Sequence, residues 1–181
     1  WSVMLANAGA GSRFGVRFAP PPADITRAEW TFLTDPDGSG EKAGFAEGRY
    51  GDRTPRPILV GQCWEEQGVT EKNPNVDYGP DTAYDGMAWY FCRVKPPADA
   101  AGKKLFLHVD GVRDVGTYDR CSNQTDLWLN GVKLPAPVGI WAAQMGGRSG
   151  RLWELPADAL KPGQENLIAI RLFNDKGPGG I

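Results

Sequence analysis

Residues 166–173 read NLIAIRLF, and this is the clearest β-strand pattern in the 181-residue chain. Ile168, Ile170 and Leu172 fall at every second position, and alternate side chains of a strand point to the same face of the sheet. Arg171 falls on the opposite face. The pattern therefore predicts a strand that packs one apolar face into a core.

Similar segments precede this strand along the chain. Alternating or short apolar runs occur at 28–33, 57–60, 87–94, 104–110 and 152–155. Residues 126–134 form a predicted hairpin around Asn130-Gly131, a pair suited to the positive φ angles of a type I′ turn. The 24 Gly and 15 Pro punctuate these segments, and no long segment has a period of 3.6. Seven or more strands with almost no helix predict an all-β sandwich.

Length and charge bound the classes of partner. A chain of 181 residues fits one domain with a sizeable core. The formal net charge of −2 lacks the basic excess of a nucleic-acid binder. No apolar run approaches the roughly 18 residues of a membrane helix. We expect neither nucleic acid nor membrane as a partner. Because the chain opens at Trp1 without Met, we also expect it to be a piece of a longer protein.

The three cysteines leave two interpretations open. An odd number excludes a fully paired disulfide framework. Cys63 and Cys92 lie in apolar, strand-like segments, where they are either buried thiols or a bridged pair that would indicate an oxidising compartment. Cys121 lies in a polar loop. His108, the single histidine, is expected to be structural, which leaves no zinc site built from several histidines.

Several blocks resemble one known family in their order and spacing. They are Trp30-Thr31-Phe32, Asp35-Pro36-Asp37, Cys63-Trp64-Glu65, residues 84–90 (YDGMAWY), residues 127–131 (LWLNG) and residues 160–171, which open with Leu160-Lys161-Pro162-Gly163. They resemble the galactose-binding-like jelly roll called the sugar-binding domain of glycoside hydrolase family two, a module also inserted in sialate O-acetylesterases. The resemblance covers about residues 28–181. It implies a jelly-roll β-sandwich that flanks an active site supplied by another domain.

The resemblance also suggests how the chain is divided. Residues 1–23 have no counterpart, contain Gly and Ala clusters, and end in a run of prolines. We expect them to be a linker or an edge segment, with one strand-like stretch at 15–19. Residues 24–181 then form the jelly-roll, carbohydrate-binding-like domain.

Sugar binding requires exposed aromatic faces and planar polar groups. The best single candidate is Trp141, which we expect in an irregular loop. Tyr118 and Arg120 precede the predicted hairpin, while Tyr78 and Tyr84 lie in or beside a long polar loop. The predicted carbohydrate-binding residues are Trp141, Tyr118, Arg120, Tyr78, Tyr84 and Trp64.

The polar loop offers oxygen ligands at alternate positions. Asn73, Asn75 and Asp77 are the candidate metal ligands, because a hard cation such as calcium prefers several converging oxygens. The alternative is that these residues only make Asx turns. A structural calcium is the one cofactor considered, and none is required. A catalytic carboxylate pair among residues 65–85 is a third use of the region, but adjacent Glu65 and Glu66 would point opposite ways on a strand.

The sequence thus predicts a non-catalytic carbohydrate-binding module of a larger, secreted or periplasmic, glycan-active enzyme. Its partners would be a polysaccharide or oligosaccharide and the neighbouring catalytic domain of the parent chain. Two alternatives stay open. One is a structural accessory β-sandwich that packs on a catalytic domain without binding sugar, and the other is a fragment of a glycoside hydrolase or esterase.

Overall fold

The computed structural model describes residues 3–8, 23–75, 84–112, 125–142, 149–174 and 179–181, with the backbone alone for 3–8, 23, 110–112, 140–142 and 149. These residues form eleven strands: β1 (Val3–Ala8), β2 (Ala23–Asp24), β3 (Trp30–Asp35), β4 (Arg56–Ile58), β5 (Gly86–Val94), β6 (Lys104–Val112), β7 (Thr125–Leu129), β8 (Val132–Lys133), β9 (Gly139–Ala142), β10 (Ser149–Leu155) and β11 (Asn166–Asn174). The helical elements are α1 (Gly40–Ala43) and three 3-10 turns at Phe45–Glu47, Glu65–Gln67 and Ala98–Ala100. None of the helices within these ranges has the length and apolar content to span a bilayer.

The strands form two antiparallel sheets. The five-stranded sheet has the order β2-β1-β6-β10-β9, and the six-stranded sheet has the order β4-β3-β5-β11-β7-β8. After β5 the chain crosses repeatedly from one sheet to the other, as a jelly roll requires. The all-β sandwich predicted from strand spacing is confirmed.

The segment before residue 24 contributes to the five-stranded sheet. Strand β1 pairs along its length with β6, from Val3 opposite Val109 to Ala8 opposite Lys104. No strand was predicted here. The strand-like stretch at 15–19 lies outside the described residues.

The predicted hairpin around Asn130-Gly131 is confirmed. Strands β7 and β8 pair directly, and the two turn residues have φ angles of 53° and 83°. Asn130 also ties the hairpin to its neighbour, because its Oδ1 accepts a hydrogen bond from the Leu167 amide at 2.9 Å. The turn is thus set by local chemistry and then fastened to β11.

The main core lies between the two sheets. Central strands β5 and β11 of the six-stranded sheet point one set of alternate side chains inward, including Tyr90 and Ile170. The opposite sheet supplies Leu107 and Trp153 to the same cluster, and all four are buried. The predicted inward stripe of Ile168, Ile170 and Leu172 is confirmed. At roughly 25 cal/mol per Å² of apolar surface removed from water, this burial is the main stabilising contribution.

The outer face of the six-stranded sheet is buried as well. Trp89 and Trp128 point away from the main core, with ring centroids 4.8 Å apart. Residues 40–50 fold over them, and Phe45 packs edge-on against Trp89 at 5.9 Å. Because both faces of this sheet are covered, β5 is apolar at consecutive positions as well as alternate ones.

Asp35, at the end of β3, fastens this outer cover. Its carboxylate is fully buried and accepts hydrogen bonds from Trp89 Nε1 at 2.8 Å and from the Gly40 amide at 3.0 Å. A Cβ at Gly40 would come within 2.5 Å of the Phe45 ring, so only glycine fits where α1 begins. The turn between β3 and α1 is therefore held by side chain and backbone together.

Replacing Asp35 with alanine would leave two buried N–H donors without their acceptor. We expect Asp35→Ala to lower the free energy of unfolding by about 3 kcal/mol, measured by urea denaturation. Asp37→Ala is the control, because Asp37 is exposed and its carboxylate accepts hydrogen bonds from the backbone N–H and hydroxyl of the exposed Ser39. Equal losses for the two variants would contradict the role given to Asp35.

Candidate functional site

At one end of the sandwich, strand termini of both sheets lie close together. In the six-stranded sheet β5 begins at Gly86, opposite the last residue of β11, Asn174. In the five-stranded sheet β10 begins at Ser149, opposite Val112 at the end of β6 and Ala142 at the end of β9. We call this the loop end.

A buried arginine joins the two sheets at the loop end. Arg151 of β10 is fully buried, and its Nη1 donates a 2.8 Å hydrogen bond to Thr125 Oγ1 at the start of β7. A guanidinium costs several kcal/mol to remove from water and persists only with good partners. This contact brings the end of the five-stranded sheet against that of the six-stranded sheet.

For four of the six predicted sugar-binding residues the structure does not describe the side chain. Tyr118 and Arg120 fall between β6 and β7, and Tyr78 falls between Asn75 and β5. These three lie outside the described residues. Trp141 was expected in an irregular loop, but its backbone belongs to β9 and pairs with Gly150.

Trp64 is a core residue, which corrects its place among the sugar-binding candidates. The side chain has no exposed surface, and its ring centroid lies 5.5 Å from that of Phe32. Gly179 packs so closely that an added Cβ would lie 2.0 Å from the indole. The Gly179 amide also donates to Glu65 at 3.1 Å. The prediction missed this burial because it depends on a segment more than a hundred residues away.

Tyr84 is also buried and is corrected in the same way. It is 1% exposed, so its ring cannot stack on a sugar. Its hydroxyl accepts a hydrogen bond from the Asp35 amide at 3.2 Å and donates one to the Met87 carbonyl at 2.7 Å. Tyr84 therefore links the ends of β3 and β5 beneath the loop end.

The candidate metal ligands make the hydrogen bonds of a turn. Asn73 Oδ1 accepts from the Asn75 amide at 2.9 Å, and Asn73 Nδ2 donates to the Asp85 carbonyl at 3.0 Å. Asn75 Nδ2 donates to the Pro36 carbonyl. These hydrogen bonds are those expected if the residues make Asx turns rather than bind calcium. Asp77 lies outside the described residues. Across the ranges that the structure covers, no three His, Cys, Asp or Glu side chains cluster as a metal site. The calcium stays a prediction.

Cys63 and Cys92 are both free thiols, so the structure does not contain the bridge that was one alternative. Cys92 is buried and Cys63 is half-buried, whereas Cys121 lies outside the described residues. Burial raises the pKa of the Cys92 thiol to about 12. Burial likewise raises the pKa of the neighbouring Tyr90 hydroxyl.

Two surface cavities were not anticipated from the sequence. One, of about 300 Å³, lies at the side edge of the six-stranded sheet and includes Thr34, Arg53, Arg56 and Glu71 in its lining; we call it the edge cavity. The other, of about 370 Å³, lies on the outer face of the same sheet, beside Tyr50 and the Arg93–Glu165 ion pair. No local pattern predicts them, because each combines residues from separate segments.

Comparisons with known proteins relate the chain to β-glucuronidases. No family model matches it. It is 31% identical over 105 residues to a β-glucuronidase of Formosa agariphila, a match covering 55% of this chain and 8% of that protein. The chain thus spans a small part of this relative.

The fold is similar to part of a solved enzyme. The β-glucuronidase of Ruminococcus gnavus in complex with D-glucuronic acid matches with a TM-score of 0.57 and 20% identity, over 81% of this chain and 21% of that chain. Another structure of the R. gnavus enzyme gives a TM-score of 0.58 and 21% identity, over 20% of its length. At this identity the likeness is one of fold, and it covers about a fifth of the solved chains.

The buried Cys92 thiol should make the free energy of unfolding fall at alkaline pH. Its pKa is higher in the folded chain than in the unfolded chain, so the unfolded state loses the proton first as pH rises above about 9. The free energy of unfolding should then fall, at a slope approaching about 1.4 kcal/mol per pH unit from this group. Urea denaturation at pH 8 to 10 should show that the free energy of unfolding falls less steeply with pH in Cys92→Val than in the unsubstituted protein. Cys63→Val is the control, and a decline as shallow in that variant would refute the assignment.

Proposed function

We propose that this chain is a non-catalytic carbohydrate-binding domain of a larger glycan-active enzyme that is secreted or periplasmic. The observation that carries the proposal is the loop end, where the strands flanking Trp141, Tyr118 and Arg120 finish or begin beside one another. The similarity to part of two β-glucuronidases supports a place beside a catalytic domain.

Recognition is favoured over catalysis by what the described carboxylates do. Glu65 accepts from the Gly179 amide, and Asp85 Oδ1 lies 3.4 Å from Asn174 Nδ2. A glycosidase needs two carboxylates facing a shared space about 5–10 Å across. These two groups serve the fold instead, which speaks against a hydrolase fragment built on residues 65–85.

The ligand chemistry follows from the types of the predicted sugar-binding residues. Aromatic rings at Trp141, Tyr118 and Tyr78 would stack on sugar C–H faces, and the Arg120 guanidinium would bond hydroxyls. A calcium, if bound, would be held through oxygens of Asn73, Asn75 and Asp77. Few aromatic platforms leave little surplus over the cost of ordering the loops, so we expect weak affinity for single oligosaccharides.

A purely structural accessory role is the alternative. It would be favoured by one continuous apolar patch on a sheet face. Among the described side chains, the exposed large hydrophobic residues are Leu59, Val132 and Val138. Leu59 and Val132 lie at opposite edges of the six-stranded sheet, which does not form such a patch. The alternative still applies if a polar surface packs on the catalytic domain.

Affinity electrophoresis against a panel of plant, algal and animal polysaccharides tests the proposal. We expect retardation by at least one polymer and a loss of tenfold or more in affinity for Trp141→Ala. Val138→Ala is the control, because this exposed residue precedes the same strand at its opposite end. Each measurement is repeated with a chelator, and weaker retardation there would support the calcium site.

Two results would count against the proposal. No retardation by any polymer would favour the structural accessory role. Retardation that Trp141→Ala leaves unchanged would remove the loop end as the binding surface.

A further inference from the structure

The edge cavity occupies a gap in the six-stranded sheet. Strand β4 pairs with β3 only from Trp30 to Phe32, so within the described part of the chain no strand lies beside residues 33–35 on that side. The segment that precedes β4 runs past this gap and brings Arg53 and Thr54 to it. Residues from three stretches of sequence, near 33, 54 and 71, therefore line one space.

Arg53 is held in place yet keeps most of its donors. Its Nη2 donates to the Thr34 carbonyl and lies 3.4 Å from Thr34 Oγ1, and its Cζ stands 5.5 Å from the centre of the Phe45 ring. It makes no ion pair with any carboxylate of the described residues. Its Nη1 and Nε bond none of them either. A guanidinium fixed in this way presents a fork of donors suited to a planar or tetrahedral oxyanion.

Arg56 forms the second wall of the cavity. Its Nη2 donates to both oxygens of Glu71, at 2.9 and 3.2 Å, and its Cζ lies 5.6 Å from the Phe32 ring centre. Glu71 thus balances the charge of Arg56 and leaves that of Arg53. Two guanidiniums and one carboxylate give the lining a net charge of +1. Thr34 and Thr54 add hydroxyl groups at the same space.

We infer that the edge cavity binds the oxyanion of an acidic sugar, a carboxylate or a sulfate ester, with Arg53 as its principal contact. The inference rests on the proposed function for its premise that the ligand is a saccharide. At about 300 Å³, the cavity is at the lower end of the range for small-molecule pockets, which suits one sugar unit. The surplus positive charge selects acidic sugars over neutral ones of the same size.

A peptide strand added to the open edge of β3 is a different occupant, and the geometry disfavours it. Strand addition needs free backbone acceptors along the edge. The Thr34 carbonyl already accepts from Arg53, so an incoming strand would first have to displace the guanidinium. This hydrogen bond uses only Nη2 of Arg53, so Nη1 and Nε can still donate to an oxyanion.

Isothermal titration of the 181-residue chain tests the inference. The probes are trigalacturonate, a sulfated galactan trisaccharide, neutral galactotriose and inorganic sulfate. We expect at least one acidic trisaccharide to bind at least tenfold more tightly than galactotriose and sulfate, and binding to weaken from 50 to 300 mM NaCl. Arg53→Gln should reduce the affinity tenfold or more. Arg53→Lys keeps the charge but loses the fork of donors, so its affinity should lie between that of the unsubstituted chain and that of Arg53→Gln.

Arg27→Gln is the control, since Arg27 is an exposed arginine outside the cavity lining and should leave affinity within twofold. Unchanged urea midpoints establish that the variants fold.

Binding of an acidic trisaccharide that Arg53→Gln leaves intact would overturn the inference. Binding of inorganic sulfate with equal affinity would also overturn it, because that result indicates a free anion site. Neutral binding lost only in Trp141→Ala would overturn it too, yet keep the proposed function. Acidic binding lost in Arg53→Gln but not in Trp141→Ala would support the cavity and count against the loop end.

Discussion

The buried Asp35 carboxylate holds the segment that covers the outer face of the six-stranded sheet. A sheet that is apolar on both faces needs two covers, and here the second sheet supplies only one. The other cover is residues 40–50, which belong to the connection between β3 and β4. Asp35 holds the start of this cover because its carboxylate accepts hydrogen bonds from both Gly40 and Trp89. A buried charge that lost these donors would be costly, so carboxylate and cover stabilise each other.

Charged side chains complete the cover where it meets solvent. Arg171 lies over Trp89 and Trp128, with its Cζ 5.6 and 5.2 Å from the two ring centres. The same guanidinium bonds Glu41 of α1 at 2.7 Å and also bonds Asp126 of β7. Such partly exposed ion pairs contribute modestly to stability, about 1 kcal/mol or less each. Their main effect is to fix α1 over the tryptophans, so that a polar network shields an apolar face from water.

Most of the described aromatic side chains are buried in the two core clusters, so they are not accessible to a ligand. Trp64 and Tyr84, both predicted to bind sugar, illustrate this burial. Their hydrogen bonds and ring contacts hold the strand ends in position. The proposed recognition therefore depends on surface groups that the core packing does not use, and the guanidinium of Arg53 is one of these among the described residues.

Features that depend on local chemistry could be predicted from the amino-acid sequence. The period-two pattern of residues 166–173 predicted the central strand, and Asn130-Gly131 predicted the hairpin turn, because φ preference and side-chain alternation act within a few residues. Three other features depend on long-range packing: the burial of Trp64 under Gly179, the second cover over Trp89, and the cavity around Arg53. Each of these joins segments distant in sequence, and an aromatic or charged residue has the same local pattern whether its partner is water or a strand from elsewhere in the chain.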